Sequence, residues 1–160
     1  MNDRTLEASI QRAAVLVATA DRIAVLTGAG ISTDSGIPDF RGPSGVWTKN
    51  PEAEKASHIE HYVSDSEVRK RNWELRASGA LWPDVVPNLG HRSLVYLQER
   101  QVLHTLVTQN VDGLHEMAGI PASRIVEIHG TTRKARCLSC EWLDNIETVL
   151  DRVRAGEQEP

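Results

Sequence analysis

The chain has 160 residues, the size of one domain or of one domain and part of a second. Hydrophobic residues make up 40%, and 11 glycines raise the apolar share to roughly 47%, a globular composition that excludes disorder as the main state. Eighteen Lys and Arg against 22 Asp and Glu leave a charge of −4, so no basic excess is available to track a phosphodiester backbone and nucleic acid is not expected as a partner.

Leu6, Ile10, Ala13, Ala14 and Val17 recur at helical intervals, which predicts an amphipathic helix over the first twenty residues with its apolar stripe turned to a core. The longest apolar run, Ala13 to Ala18, is six residues, far short of the roughly 20 that cross a bilayer, and Met1-Asn2-Asp3-Arg4 does not open a signal sequence. No membrane partner and a cytoplasmic location are expected. Ile23-Ala24-Val25-Leu26 reads as a buried parallel strand that stops at Thr27-Gly28-Ala29-Gly30. Gly36, Pro38, Gly42, Pro43, Gly45 and Pro51 then make a long loop. The charged segment Ser64 to Ala77, with Val68, Trp73 and Leu75 as apolar anchors, and the irregular stretch around Pro83 and Pro87 read as a helical insertion over about 52–90. A helix bearing Leu94, Val95 and Leu97 follows, then a strand from Val102 to Val107, then the polar turn Thr108-Gln109-Asn110-Val111-Asp112-Gly113. Leu114 to Met117 make a short helix, and Ile125-Val126-Glu127-Ile128 a third strand that delivers His129-Gly130. Three strands ending in three polar loops predict an α/β fold with an open parallel sheet, whose carboxyl ends line one crevice. The last segment, 131–160, differs in character: Cys137-x-x-Cys140 forms a tight knuckle, Asp144-x-x-Glu147 reads as a capping box, and Gly156 ends the final helix.

Several of these residues have the chemistry of a site. Gly28-Ala29-Gly30 after a strand would let backbone amides approach a pyrophosphate, because glycine removes the Cβ that keeps phosphate oxygens away. A glycine turn that merely joins two elements explains the same residues. Thr33 stands where the dehydrogenase fingerprint wants a third small residue, and only Glu52 falls near the expected ribose carboxylate, so hydride transfer is disfavoured. Asn110 and Asp112 can hold a carboxamide or close an Asx-turn. Of the six histidines, His129 alone sits at the carboxyl end of a predicted strand beside a glycine; His58, His61, His91, His104 and His115 lack that combination. An imidazole largely neutral at pH 7 can serve as a base on a hydroxyl. Cys137 and Cys140 have a metal or redox spacing rather than that of a secreted disulfide framework.

The run Gly28-Ala29-Gly30-Ile31-Ser32-Thr33-Asp34-Ser35-Gly36-Ile37-Pro38-Asp39-Phe40-Arg41 resembles the signature of the sirtuin family. Thr108-Gln109-Asn110-Val111-Asp112-Gly113-Leu114-His115 resembles its second motif, Ile128-His129-Gly130 its third, and Cys137-x-x-Cys140 the first half of its zinc site. The resemblance spans roughly Leu16 to Cys140. It implies a Rossmann-like NAD-binding fold, with 1–130 as its first part and 131–160 as the start of a small zinc-binding module. The implied activity is an NAD-dependent protein-lysine deacylase acting on an acyl-lysine protein or peptide.

By the same resemblance, Gly28, Ala29, Gly30 and Thr33 surround the phosphates, and Asp39, Phe40 and Arg41 lie on the loop over the nicotinamide riboside. Arg41 brings a planar cation and Phe40 an apolar lid against water; core burial is the plain alternative for Phe40. Trp47 resembles an aromatic beside the cofactor and is equally an ordinary hydrophobic anchor. Gln109, Asn110 and Asp112 would hold the nicotinamide amide and ribose. His129 would take the proton of a ribose hydroxyl after the acyl oxygen attacks C1′ and nicotinamide leaves, giving free lysine and O-acyl-ADP-ribose. Dicarboxylate-removing relatives place Tyr-x-x-Arg in the helical insertion, where this chain has Trp73-x-x-Arg76; simple deacetylation is the expectation. Cys137 and Cys140 supply two of the four ligands that structural zinc takes, and no later residue is Cys or His. The sequence ends at Glu157-Gln158-Glu159-Pro160. The expectation is the front part of a sirtuin, with an apolar sheet edge and with self-association available to cover it or to complete the zinc set. The alternative to an active enzyme is an incompetent fragment that at most binds NAD or ADP-ribose.

Overall fold

The computed structural model describes residues 3–50, 53–54, 57–79 and 85–160; the loop residue Pro51, Glu52 and the stretch at Pro83 lie outside them. A parallel sheet of three strands organises the chain: β1 (Ile23–Thr27), β2 (Leu103–Thr108) and β3 (Ile125–Glu127), in that spatial order. The predicted strands are present, with β2 shifted by one residue. Leu26 pairs with Val107 and Val107 with Val126, while Thr27, Thr108 and Glu127 stand level at the last rung. The chain therefore leaves all three strands at one height, and the turns after them share one edge.

One extra residue in β2, His104, breaks the register between Ile23 and Ala24 and turns Leu103 to the same face as Leu106. That face is the core. Leu103, Leu106 and Ile120 are fully buried, with Val25, Leu94, Val95, Leu97 and Ile125 packed around them. Helix α5 (Leu89–Glu99) supplies the leucines and valine of this layer. Its start is fixed by Asn88, whose side chain accepts from Gly90 and His91 amides while the His91 ring accepts from the Asn88 amide. The opposite sheet face is bare: Leu26 is 68% exposed, Val126 48% and Ile128 52%.

Helix α1 (Asp3–Thr19) forms as its periodicity predicts, but the stripe Leu6, Ile10, Ala13, Ala14 and Val17 does not meet a core. Every residue from Thr5 to Thr19 is exposed. Periodicity reports which face would be buried, not whether a partner lies against it. The loop after β1 is ordered: a 3₁₀ segment (Ala29–Ser35) ends at Gly36, whose φ of 90° favours glycine, and a short helix α2 (Val46–Lys49) follows. The insertion holds α3 (Ile59–Ser64) and α4 (Ser66–Ala77), the latter capped by the Asp65 carboxylate. Beyond β2 come α6 (Leu114–Ala118) and the 3₁₀ turn Ala122–Arg124 before β3.

The segment after His129 contains an antiparallel hairpin, β4 (Lys134–Arg136) and β5 (Leu143–Asn145), with Cys137 and Cys140 in its turn. Final helix α7 (Ile146–Arg154) begins one residue later than the predicted box. Asp144 is paired with Ala135 in the hairpin, so Asn145 caps instead, accepting from the Glu147 amide. Gly156, at φ 107°, closes the helix as predicted, its amide bonded to the Val153 carbonyl. Helix α7 packs on α4, and Arg69 pairs with Glu159 at 2.7 Å.

Truncating Leu106, which is 0% exposed, to alanine should cost about 2–5 kcal/mol in urea unfolding. Leu16→Ala on α1, at a residue 72% exposed, should change stability by less than about 0.5 kcal/mol; a larger loss would mean that α1 is covered in solution.

Candidate functional site

The level strand ends bring Gly28, Gln109 and His129 side by side. Gln109 donates its amide to the Thr27 carbonyl at 3.0 Å, and a Cβ placed on Gly28 would lie 3.6 Å from Gln109 Nε2. His129 Nδ1 lies 3.1 Å from the Gln109 carbonyl. A carbonyl only accepts, so Nδ1 carries the hydrogen and Nε2 keeps its lone pair. His129 is exposed at the sheet edge. A Cβ on Gly30 would meet nothing within 4 Å, so the side of the turn there is open space rather than a close protein contact.

Behind this edge lies a buried polar set. Ser32, Asn110 and Asp112 are 1%, 7% and 4% exposed. The Ser32 hydroxyl donates to Asp112 Oδ2 at 2.7 Å and accepts from Asn110 Nδ2 at 3.0 Å. Asp112 Oδ1 accepts from the Leu114 amide at 2.9 Å, the Asx-turn that starts α6. The turn and the polar set are thus not alternatives: one carboxylate oxygen does each. The Asn110 amide donates to Thr108 Oγ1 at 3.0 Å, and Thr27 Oγ1 donates to the same oxygen at 2.9 Å. Ser32 was not singled out from sequence, where its neighbour Thr33 carried the expectation. Thr33 is exposed, and its hydroxyl donates to the Gly30 carbonyl at 3.0 Å. Arg133 is a second addition: its guanidinium donates twice to the Asp112 carbonyl, at 3.2 and 3.1 Å, and a side chain at Gly113 would strike it.

Asp39, Phe40, Arg41 and Trp47 gather among themselves. Asp39 accepts from the Gly42 amide, the Phe40 and Trp47 rings stand 4.6 Å apart, and the Arg41 guanidinium lies 4.5 Å from the Trp47 ring centre. Phe40 is 38% exposed, which overturns core burial for it. Side chains at Gly42 or Gly45 would strike the Asp39 carboxylate or the Phe40 carbonyl, so this loop folds tightly on itself. No hydrogen bond among the described residues ties Asp39, Phe40, Arg41 or Trp47 to Asn110, Asp112 or His129. In the insertion, Trp73 hydrogen-bonds Tyr62, and the Arg76 guanidinium, largely desolvated, acts on the same phenol. Tyr62 of α3 therefore lies beside Trp73 and Arg76.

Cys137 is half-buried and Cys140 exposed, both free. Hydrogen bonds from the Cys140 and Ser139 backbone hold the Cys137 thiol below its ordinary value. Among the described residues no group of three or more His, Cys, Asp or Glu is placed to hold a metal. Two thiols alone do not close a tetrahedral zinc site.

His91 and His115 are buried, at 0% and 2% exposure, with rings 5.0 Å apart. Burial first, then His91, pushes His115 down to about 4, with Asp112 opposing. Burial lowers His91 too. Because the unfolded imidazole binds a proton near its ordinary 6.5 and the folded one only near 4, stability is full above about pH 6.5 and falls as pH drops toward 4. The His115 share of that loss is about 3 kcal/mol. Urea unfolding at several pH values should show this slope in the wild-type chain and less of it in His115→Gln; equal slopes would remove His115 as the cause.

The Sir2 family model matches residues 28–160. The chain is 48% identical over 139 residues to NAD-dependent protein deacetylase 2 of Streptomyces coelicolor, covering 86% of this chain and 57% of that one. It is 39% identical over 139 residues to the NAD-dependent protein deacetylase of Sulfurisphaera tokodaii, covering 86% and 53%. Among solved structures, a Sir2 enzyme described for its mechanism and regulation superposes with a TM-score of 0.75 at 33% identity, covering 94% of this chain and 58% of that one. A Sir2 chain solved with a p53 peptide and NAD+ gives 0.71 at 32%, covering 92% and 56%. The chain spans about half the length of the curated relatives it matches. With the signature residues gathered at the ends of a parallel sheet and the match running over most of the sequence, this chain belongs to the Sir2 family.

Proposed function

We propose that this chain carries the base and the ribose-side half of an NAD-dependent protein-lysine deacetylase site. The observation that supports this most is the His129 tautomer: with Nδ1–H donated to the Gln109 carbonyl at 3.1 Å, Nε2 is left free and basic at the edge where the glycine turn opens. The residues present fit the nucleotide. Gly28, Ala29 and Gly30 bring backbone amides to the strand ends, with open space at Gly30, and Asn110 and Asp112 are pre-ordered by Ser32. When bound, NAD supplies the ribose carbon from which nicotinamide departs and the hydroxyl that receives the acyl group. His129 Nε2 takes the proton of that hydroxyl. Gln109 fixes the ring, Asn110 and Asp112 orient the ribose and carboxamide, and the Asp39–Arg41 segment with Trp47 shields the sugar from water.

An acyl-lysine protein is the proposed substrate, in a cytoplasmic setting, and acetyl the proposed group. An acyl chain ending in a carboxylate would find its counter-charge at Arg76 beside Tyr62. No helix of the described residues is long and apolar enough to cross a membrane. A second reading, nucleotide binding without turnover, is favoured by the bare sheet face at Leu26, Val126 and Ile128, which leaves the edge above it open on one side.

Incubation with NAD and an acetyl-lysine peptide should release nicotinamide only when the peptide is present, and His129→Ala should reduce the rate by at least about a hundredfold. A succinyl-lysine peptide run beside it tests Arg76. Affinity for ADP-ribose with no nicotinamide release selects the second reading, and neither signal rejects both. Zinc bound at about half an equivalent per chain would show two copies completing one site through Cys137 and Cys140; none would show that the pair alone holds no metal.

A further inference from the structure

Two imidazoles that the proposed chemistry does not use lie behind the Asn110–Asp112 loop, and each has one nitrogen without a partner among the described residues. His91 Nδ1 accepts the Asn88 amide at 3.3 Å, so its hydrogen sits on Nε2, which is buried and unpartnered. His115 Nε2 lies 2.8 Å from Thr27 Oγ1. With the Thr27 hydrogen directed to Thr108 Oγ1, 2.9 Å away, Thr27 accepts from His115, an arrangement that places the His115 hydrogen on Nε2. Its Nδ1 is then a bare acceptor, also buried and unpartnered. A lone donor on one ring thus lies beside a lone acceptor on the other, with ring centres 5.0 Å apart.

We propose that His115 is a positioning residue for the loop carrying Asn110 and Asp112: through the hydroxyls of Thr27 and Thr108 its Nε2–H fixes the Asn110 backbone. The chain runs from α6 through β1 and β2 to the loop in three contacts of 2.8, 2.9 and 3.0 Å. Around the two rings the ionisable groups are few. Asp112 faces both from the loop and each imidazole faces the other, while β1 and β2 offer only threonine hydroxyls. Adding a proton to His115 Nδ1 would set an N–H donor and a positive charge against the His91 ring, a repulsion that shifts the His115 ring on Thr27 and with it the Asn110 amide.

The effect on nucleotide affinity rests on the cofactor assignment above; the hydrogen-bond chain itself does not. In the 160-residue chain labelled with ¹⁵N, imidazole nitrogen shifts should show His115 protonated on Nε2 and bare on Nδ1. The Asn110 amide should shift with the same acid midpoint as His115. His115→Gln, which keeps an N–H at the ε position, should leave the Asn110 signal near its wild-type place but flat with pH. His115→Leu should displace it at every pH. A His115 hydrogen on Nδ1, or an Asn110 amide indifferent to His115→Leu, overturns the proposal without reference to any ligand. Calorimetry with ADP-ribose then reads the consequence: a loss of at least about tenfold in His115→Leu, largely restored in His115→Gln with a flatter pH profile. A wild-type chain that shows the tautomer and the linked shift but binds no ADP-ribose sinks the cofactor assignment and leaves the positioning role standing.

Discussion

The hydrogen bond between the Thr27 and Thr108 side chains, 2.9 Å long and buried, is the interaction on which the site depends. Parallel pairing alone sets two strands side by side; it does not decide where each one lets go of its neighbour. A hydroxyl pair on the last rung does, because both oxygens lie out of reach of water and each must find its partner there. Thr108 then has a second lone pair for the Asn110 amide. One rung therefore ends two strands and starts the loop that bears the polar side chains.

From that rung the site divides by solvent exposure. Asn110, Asp112 and Ser32 are buried and hydrogen-bond one another, which fixes the direction in which Asn110 and Asp112 are presented. His129, Gln109 and Gly30 are exposed and keep free capacity, which suits groups that meet a ligand. A buried carboxylate is costly without partners. That of Asp112 has two, the Ser32 hydroxyl and the Leu114 amide, while the Arg133 guanidinium holds the backbone carbonyl of the same residue.

The sheet was legible because Ile23–Leu26 is apolar without interruption, the run from Val102 to Val107 is broken only by His104 and Thr105, and each stops at a polar turn. His129 was legible by its place at a strand end. Other features carried no such trace. Residues 134–136 and 143–145 are mostly polar and exposed, so their pairing has no alternation to betray it, and that pairing moved the helix cap from Asp144 to Asn145. Ser32 was hidden beside Thr33 because a hydroxyl's direction depends on where the 3₁₀ turn places it. His91 and His115 look like any other histidines until α5 and α6 are seen to lay them ring to ring. The α1 stripe shows the converse, a strong pattern with no neighbour against it.

Thr132 gives both its amide and its hydroxyl to the Val111 carbonyl, Arg133 grips the next carbonyl along, and its own carbonyl takes the first amide of α7. The loop that presents the Asp112 carboxylate and the hairpin that carries two thiols consequently share one short anchorage of backbone at Thr132 and Arg133.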